Sequence, residues 1–216
     1  MEIIKTEKGF TEVFDHPIIQ QLEFDFAGTC KILYHNQPSK IIAFQSDIYH
    51  WQYGIPVSLD GSTLFKGNWE DGVYAINAAD GSVKWHYQQT KIEWVIAYPS
   101  YLIAIKSGAS VIKLDIQTGA VADEIRSAAI ERCFALKNPY LLIDRIKGKL
   151  SLLDTEKMDV IRSYNSAEYN PNKCLSCLIQ CAEWREKSIV ISGVEEYPDH
   201  NTTTSGKRNF IRELPI

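Results

Sequence analysis

Val73-Tyr-Ala-Ile-Asn-Ala-Ala-Asp-Gly81 and Val111-Ile-Lys-Leu-Asp-Ile-Gln-Thr-Gly119 match in character at most positions, 38 residues apart (73 to 111). A third copy, Leu150-Ser-Leu-Leu-Asp-Thr-Glu-Lys-Met158, follows 39 residues later (111 to 150). It keeps the acid at Asp154 and puts Met158 where the glycine stood. After each copy comes a strand of polar and apolar residues: Ser82–Tyr87, Ala120–Ile125 and Asp159–Tyr164. A period near 40 that holds four short strands is the sequence signature of a propeller blade.

Blades can be counted outward from these repeats. They run from about Ile55 to Gln88, Glu93 to Arg126 and Ile130 to Tyr164. Upstream, Gln20 to Tyr53 gives another, with Ile41–Phe44 and Tyr49–Tyr53 as its outer pair. Downstream, Cys174–Trp184 and Lys187–Val194 supply the inner strands of a fifth. Glu2–Phe14, turning at Lys8-Gly9, reads as the missing outer hairpin of that fifth blade, and Arg208–Leu214 competes for one of its places. Turn signals such as Asp60-Gly61, Asp71-Gly72 and Lys147-Gly148 separate the strands. Helical periodicity is almost absent. Ser127–Leu136 is the one helix-like stretch, and it fits a strand equally well. The expected fold is all-β: a single β-propeller domain over residues 1–216, with five four-stranded blades. Its closing blade is shared by the N- and C-terminal strands, which removes free sheet edges.

Composition bounds the function. The 216 residues are 45% hydrophobic, enough for a core without disulfide or metal support. No apolar run approaches the roughly 20 residues a bilayer crossing needs, so no membrane role is expected. The formal charge of −4 argues against a nucleic-acid partner, which calls for a basic patch. Met1–Phe10 has neither the basic nor the apolar region of a signal peptide. Five cysteines, an odd number, do not form a disulfide framework, so a reducing cytoplasmic location is expected.

The stretch Tyr74-Ala-Ile-Asn-Ala-Ala-Asp-Gly-Ser-Val-Lys-Trp85 resembles the repeat of the pyrroloquinoline-quinone (PQQ) family, roughly YALDAxTGxxxW. The copy ending at Gly119 keeps the Asp and Thr-Gly but has Asp123 in place of the Trp; the third keeps Leu153-Asp-Thr155. The resemblance is concentrated in residues 70–120. It implies a propeller in which the motif's Gly and Trp dock blades, so Trp85 is structural first. The family includes quinoprotein dehydrogenases, a bacterial outer-membrane assembly lipoprotein and binding modules, so the fold does not name an activity. The quinone enzymes have a much larger ring, a vicinal disulfide and a calcium site, whereas no Cys-Cys pair occurs here. No cofactor is expected.

Chemistry-bearing residues are sparse. Cys174-Leu-Ser-Cys177-Leu-Ile-Gln-Cys181 has the spacing that opens a thiolate metal site, but no partner Cys-x-x-Cys or His-x-His stands near it. These read as core thiols of an inner strand, with Cys177 and Cys181 on one face and Cys174 opposite Cys177. No metal is expected. Histidines 16, 35, 50, 86 and 200 form no ligand or catalytic spacing. Glu23, Asp25, Glu93 and Glu131, placed on inner strands, are the candidates for a carboxylate pair across a central channel, which a glycosidase would need.

Loop length is more informative. In a four-stranded blade the loops between strands two and three share a face with the interblade connections. On that face fall Asn68–Gly72, the linker Asn165–Lys173 and an insertion over Glu195–Lys207; the opposite face has only tight turns. Trp69, Glu70, Asp71, Tyr169, Tyr197, Asp199 and His200 are therefore the candidate protein-binding residues, since aromatic anchors dominate interface energetics. The expected function is that of a non-catalytic, monomeric cytoplasmic propeller that binds a protein partner. One concrete form is a bacterial immunity protein neutralising a cognate toxin, because an acidic inhibitor can cover a basic nuclease site. The alternative is a small-molecule or carbohydrate-binding propeller, or a weak glycosidase, acting in the central channel.

Overall fold

The computed structural model describes residues 2–6, 9–13, 15–25, 29–43, 55–126, 130–145, 149–170, 176–198 and 205–216. The chain packs as two compact units, Met1–Arg126 and Ser127–Ile216. Each is described in its own right.

The first unit holds three antiparallel meanders. β1 (Glu2–Thr6), β2 (Gly9–Val13), β3 (Ile19–Asp25), β4 (Thr29–Tyr34) and β5 (Lys40–Ala43) form one sheet in chain order. β6 (Thr63–Asn68), β7 (Gly72–Asn77) and β8 (Val83–Gln88) form the next, with a bridge from Val57 to Leu64 beside β6. β9 (Ile92–Ala97), β10 (Tyr101–Lys106), β11 (Ser110–Asp115) and β12 (Val121–Arg126) form the third. The second unit holds β13 (Ile130–Ala135), β14 (Tyr140–Arg145), β15 (Lys149–Asp154) and β16 (Asp159–Asn165) in one sheet. One helical turn, α1 (Ser166–Tyr169), follows. A second sheet contains β17 (Ser176–Arg185), β18 (Ser188–Pro198) and β19 (Ser205–Pro215). The described strands thus make five antiparallel sheets, of five, three, four, four and three strands; the third and fourth have the four strands the repeat predicts, the other three do not.

The repeat has a local cause. Asn77, Asp115 and Asp154 occupy equivalent positions, and each folds its own turn. The Oδ1 of Asp115 accepts from the N–H groups of Gln117 and Thr118 at 3.0 and 2.8 Å. That of Asp154 accepts from Glu156 and Lys157, both at 3.0 Å, and that of Asn77 from Ala79 at 3.0 Å. Such side chains mimic a backbone turn. The residue closing each turn then needs a positive φ: Gly81 at 78°, Gly119 at 71° and Met158 at 56°. The glycine missing from the third copy is thus replaced by a methionine that adopts the same backbone region.

Packing joins the sheets within each unit. One face of β6 and β7 (Leu64, Tyr74, Ile76) meets Leu22, Phe24, Cys30, Ile32 and Ile42 of the first sheet. Their other face (Phe65, Val73, Ala75) meets Ile92, Leu102, Ala104, Ile112 and Leu114 of the third. Two-sided covering explains why β6 is buried at every residue instead of alternating. In the second unit, Leu142, Leu150 and Leu152 pack with Ile179, Ile189, Ile191 and Leu214, and Tyr140 stacks on Trp184 at 4.5 Å.

Several expectations are corrected. β1 and β2 do not complete the last sheet: β2 pairs with β3, from Gly9↔Asp25 to Val13↔Gln21. A short connection favours neighbouring strands. Here His16 organises it, its Nδ1 accepting from the N–H groups of Ile18 and Ile19 at 3.1 and 3.0 Å. Of the expected insertion Glu195–Lys207, residues 195–198 and 205–207 are strand and not loop, since β18 and β19 stay in register out to Pro198↔Ser205; residues 199–204 lie outside the described residues. Cys177 and Cys181 do not share a face, because a bulge after Ile179 slips the register: Cys177 pairs with Glu195, and Cys181 with Ser192. β3 is the middle strand of its sheet, so Glu23 and Asp25 do not stand on an inner edge. The proposed strand Tyr49–Tyr53, His50 and Cys174 lie outside the described residues.

Candidate protein-binding surface

The turn between β6 and β7 presents Trp69 with 45% of its surface exposed. Its backbone is held from several sides. The buried Asn68 side chain accepts from the Glu70 N–H at 2.8 Å. The Trp69 carbonyl accepts from the Lys91 N–H at 2.5 Å, and the Asp71 carbonyl from the Gln89 N–H at 3.2 Å. Gly72 sits at a φ of 119°, and a Cβ there would lie 2.0 Å from the Tyr87 carbonyl oxygen, so the chain turns where only glycine fits.

Side chains reinforce the turn. The Tyr74 hydroxyl donates to Asp71 Oδ2, and His86 Nε2 donates to the Asp71 carbonyl at 2.9 Å. The imidazole also lies 3.6 Å from Asp71 Oδ1 and stacks on the Tyr74 ring, centroids 4.0 Å apart with planes 5° from parallel. Register explains the meeting: Tyr74 pairs with His86 across β7 and β8. Trp69, Glu70 and Asp71 thus form a preorganised turn with an exposed aromatic side chain and two carboxylates beside it. Tyr74 and His86, which hold it, carry no signal of that role in the sequence. Only their cross-strand register supplies it.

In the second unit, Tyr197 lies near the end of β18 and its hydroxyl donates to Glu195. Arg212 reaches across from β19, donating to the other Glu195 oxygen and to the Tyr169 carbonyl. Glu195 has no exposed surface. Burial pushes its carboxyl up, but the hydrogen bonds from Tyr197 and Arg212 and the charges of Arg212 and Arg208 outweigh that. They hold it below the ordinary carboxylate range. Tyr197 is half-buried, with the Arg208 guanidinium 5.9 Å from its ring centre. This is a rigid hairpin base.

Tyr169 is a core residue, not an exposed anchor: it is 4% exposed and packs with Tyr164, Phe210 and Leu214. The helical turn α1 carries it inward. Asn165 Oδ1 accepts from the Glu168 N–H at 3.3 Å, and Glu168 accepts from the Asn165 N–H at 2.8 Å. Asn165-x-x-Glu168 is thus a reciprocal helix-capping pair, a sequence signal that marks this segment as structured. Asp199 and His200 lie outside the described residues.

Other candidates are engaged locally. Glu23 takes Lys31 at 3.3 Å and Gln21 at 2.8 Å, and Asp25 caps the β3–β4 turn through Thr29 at 2.9 and 2.5 Å. Glu93 lies on β9, and Glu131 lies in the other unit. Cys30 is buried, Cys133 and Cys177 are half-buried and Cys181 is exposed. Among the described residues no group of three or more His, Cys, Asp or Glu side chains is placed to hold a metal ion.

The chain is similar in structure to BamB from Moraxella catarrhalis, at 14% identity and a TM-score of 0.59, over 88% of this chain and 54% of that one. It is also similar to the computationally designed Ika8 protein (12% identity, TM-score 0.60, 94% of this chain and 57% of that one). A third is the dihydro-heme d1 dehydrogenase NirN in complex with DHE (14%, 0.62, 91% and 44%). The chain spans about half the length of these structures. No protein-family model matches the sequence, and no curated protein matches it. At this identity the likeness shows the fold alone, one of β-propeller type.

Proposed function

We propose that this chain is a non-catalytic, protein-binding propeller module of the cytoplasm, engaging its partner through the Trp69-Glu70-Asp71 turn. The observation that carries this is a large aromatic side chain held exposed on a turn whose backbone and flanking carboxylate are fixed by Asn68, Tyr74, His86 and Lys91. A rigid anchor loses little conformational entropy on binding, and exposed Trp is the residue type most enriched at interface hot spots. The adjacent carboxylates suit a partner with a basic surface. In its sharper form the reading is toxin neutralisation by an immunity protein.

A photo-crosslinking residue placed at position 69, followed by mass spectrometry of the native-host adduct, tests the surface. Co-expression with the product of a neighbouring toxin-like reading frame tests the sharper form. Protection by the wild type and its loss in Trp69→Ala is the expected result. Equal protection by both would remove Trp69 from the function. Deleting 199–204 tests the segment between β18 and β19 without cutting the paired strands.

A further inference from the structure

We infer that two copies of this chain associate edge to edge, β19 of one copy pairing antiparallel with β19 of the other about a two-fold axis. The registers lead there. β8, β9, β12, β13, β16 and β17 are edge strands of six residues or more, and each shifts register against its neighbour. Such bulges interrupt the ladder and keep an edge from templating a further strand. Other edges are protected differently: β1 and β5 have only five and four residues, and β6 is buried at every position. β19 is the exception. It pairs with β18 over eleven residues without a shift, and among the described strands none is bonded to its other side.

A long regular edge takes up an extended strand through main-chain hydrogen bonds, and the side chains along it select which strand. Phe210 and Leu214 are buried, whereas Lys207, Asn209, Ile211 and Glu213 share the opposite, exposed face. Ile211 is 77% exposed. Two β19 strands laid antiparallel with Phe210 opposite Phe210 bring Lys207 opposite Glu213 twice, once on each side of the axis. Asn209 then falls opposite Ile211, which sets the two exposed isoleucines diagonally beside each other, within reach of packing. Arg208 falls opposite Arg212, whose charge Glu195 already takes within its own copy.

The edge is thus complementary to itself, and the occupant it fits is a second copy of this chain. A two-fold pair uses the same patch on both copies, and such pairs are the commonest assemblies. β19 lies wholly in the second unit. This differs from the monomer expected from sequence, and it does not depend on the binding role of Trp69.

Sedimentation velocity of the 216-residue protein across a concentration series tests the association, and hydrogen exchange at low and high concentration tests its place. The expected result is a reversible dimer whose β19 amides gain protection as it forms. Lys207→Glu and Glu213→Lys should each weaken association roughly tenfold, because two opposite-charge pairs become like-charge pairs. An equimolar mixture of the two variants should recover it, since each copy then meets the opposite sign. Ile211→Lys should also weaken association with the circular dichroism spectrum unchanged, because that side chain is exposed. A wild-type protein that stays monomeric throughout would overturn the inference. So would a dimer whose β19 amides exchange equally fast at both concentrations, or a mixture no more associated than either charge variant alone.

Discussion

Gly119 closes its turn directly against the indole of Trp85: a Cβ on Gly119 would lie 2.5 Å from Trp85 Cε3, and Trp85 Nε1 donates to the Ile116 carbonyl at 3.2 Å. The Trp of one repeat thus seats under the glycine turn of the next, which is why the motif keeps both. Gly81 makes the equivalent approach to β5, where a Cβ would lie 2.7 Å from the Ala43 carbonyl oxygen. Gly119→Ala adds a clash and a disfavoured φ together, and should destabilise the fold by about 2–3 kcal/mol. Trp85→Ala should cost about 2 kcal/mol or more. Urea unfolding of both and of the double variant measures the coupling, and additive losses would contradict direct docking.

Asp144 on β14 is buried beside Glu131 and Arg132. Burial, with the Glu131 charge added, pushes its carboxyl up to about 6 from 3.8. A raised acid binds its proton more tightly in the folded state. Stability should therefore fall as pH rises between about 4 and 6, by at most roughly 3 kcal/mol from this group. Asp144→Asn should flatten that part of the stability–pH curve, as followed by thermal melts.

Glu195 has the opposite sign. Its depressed carboxyl contributes stability above the ordinary carboxylate range, and the contribution is lost as pH falls through the lowered value. Removing one partner of this buried pair strands the other. Arg212→Leu or Glu195→Leu should each cost about 3–5 kcal/mol, whereas the double replacement should cost much less than the sum. Denaturant midpoints of the three variants decide it.

Trp69→Ala should cost about 1 kcal/mol or less of stability, because nearly half of the residue's surface is exposed. It should weaken partner binding by about 2 kcal/mol. His86→Ala, which loosens the turn from behind, should weaken binding less and in the same direction. Calorimetric titration with the partner found by crosslinking checks both.

The thiols should separate by reactivity. Cys181 is exposed and should be alkylated promptly in the native protein. Cys30 has no exposed surface, and burial with the nearby Glu12 charge pushes its thiol far above the ordinary range, so it should react only on unfolding. Peptide mapping after timed iodoacetamide treatment reads the difference.

The sequence alone determined what nearest neighbours in the chain determine. The 38- and 39-residue offsets and the Asn77, Asp115 and Asp154 turns rest on contacts within a few residues, and each is found. The Trp69-Glu70-Asp71 projection was legible for the same reason. Only the tertiary structure decided the rest. β1 and β2 belong to the first sheet, a bulge after Ile179 turns Cys181 outward, and Tyr169 is core. Arg212 finds its partners in Glu195 on β18 and in the residue ending α1, far apart in sequence. Register carries these outcomes. A slip of one residue reverses every side chain beyond it, and it changes no local propensity that could be read in advance.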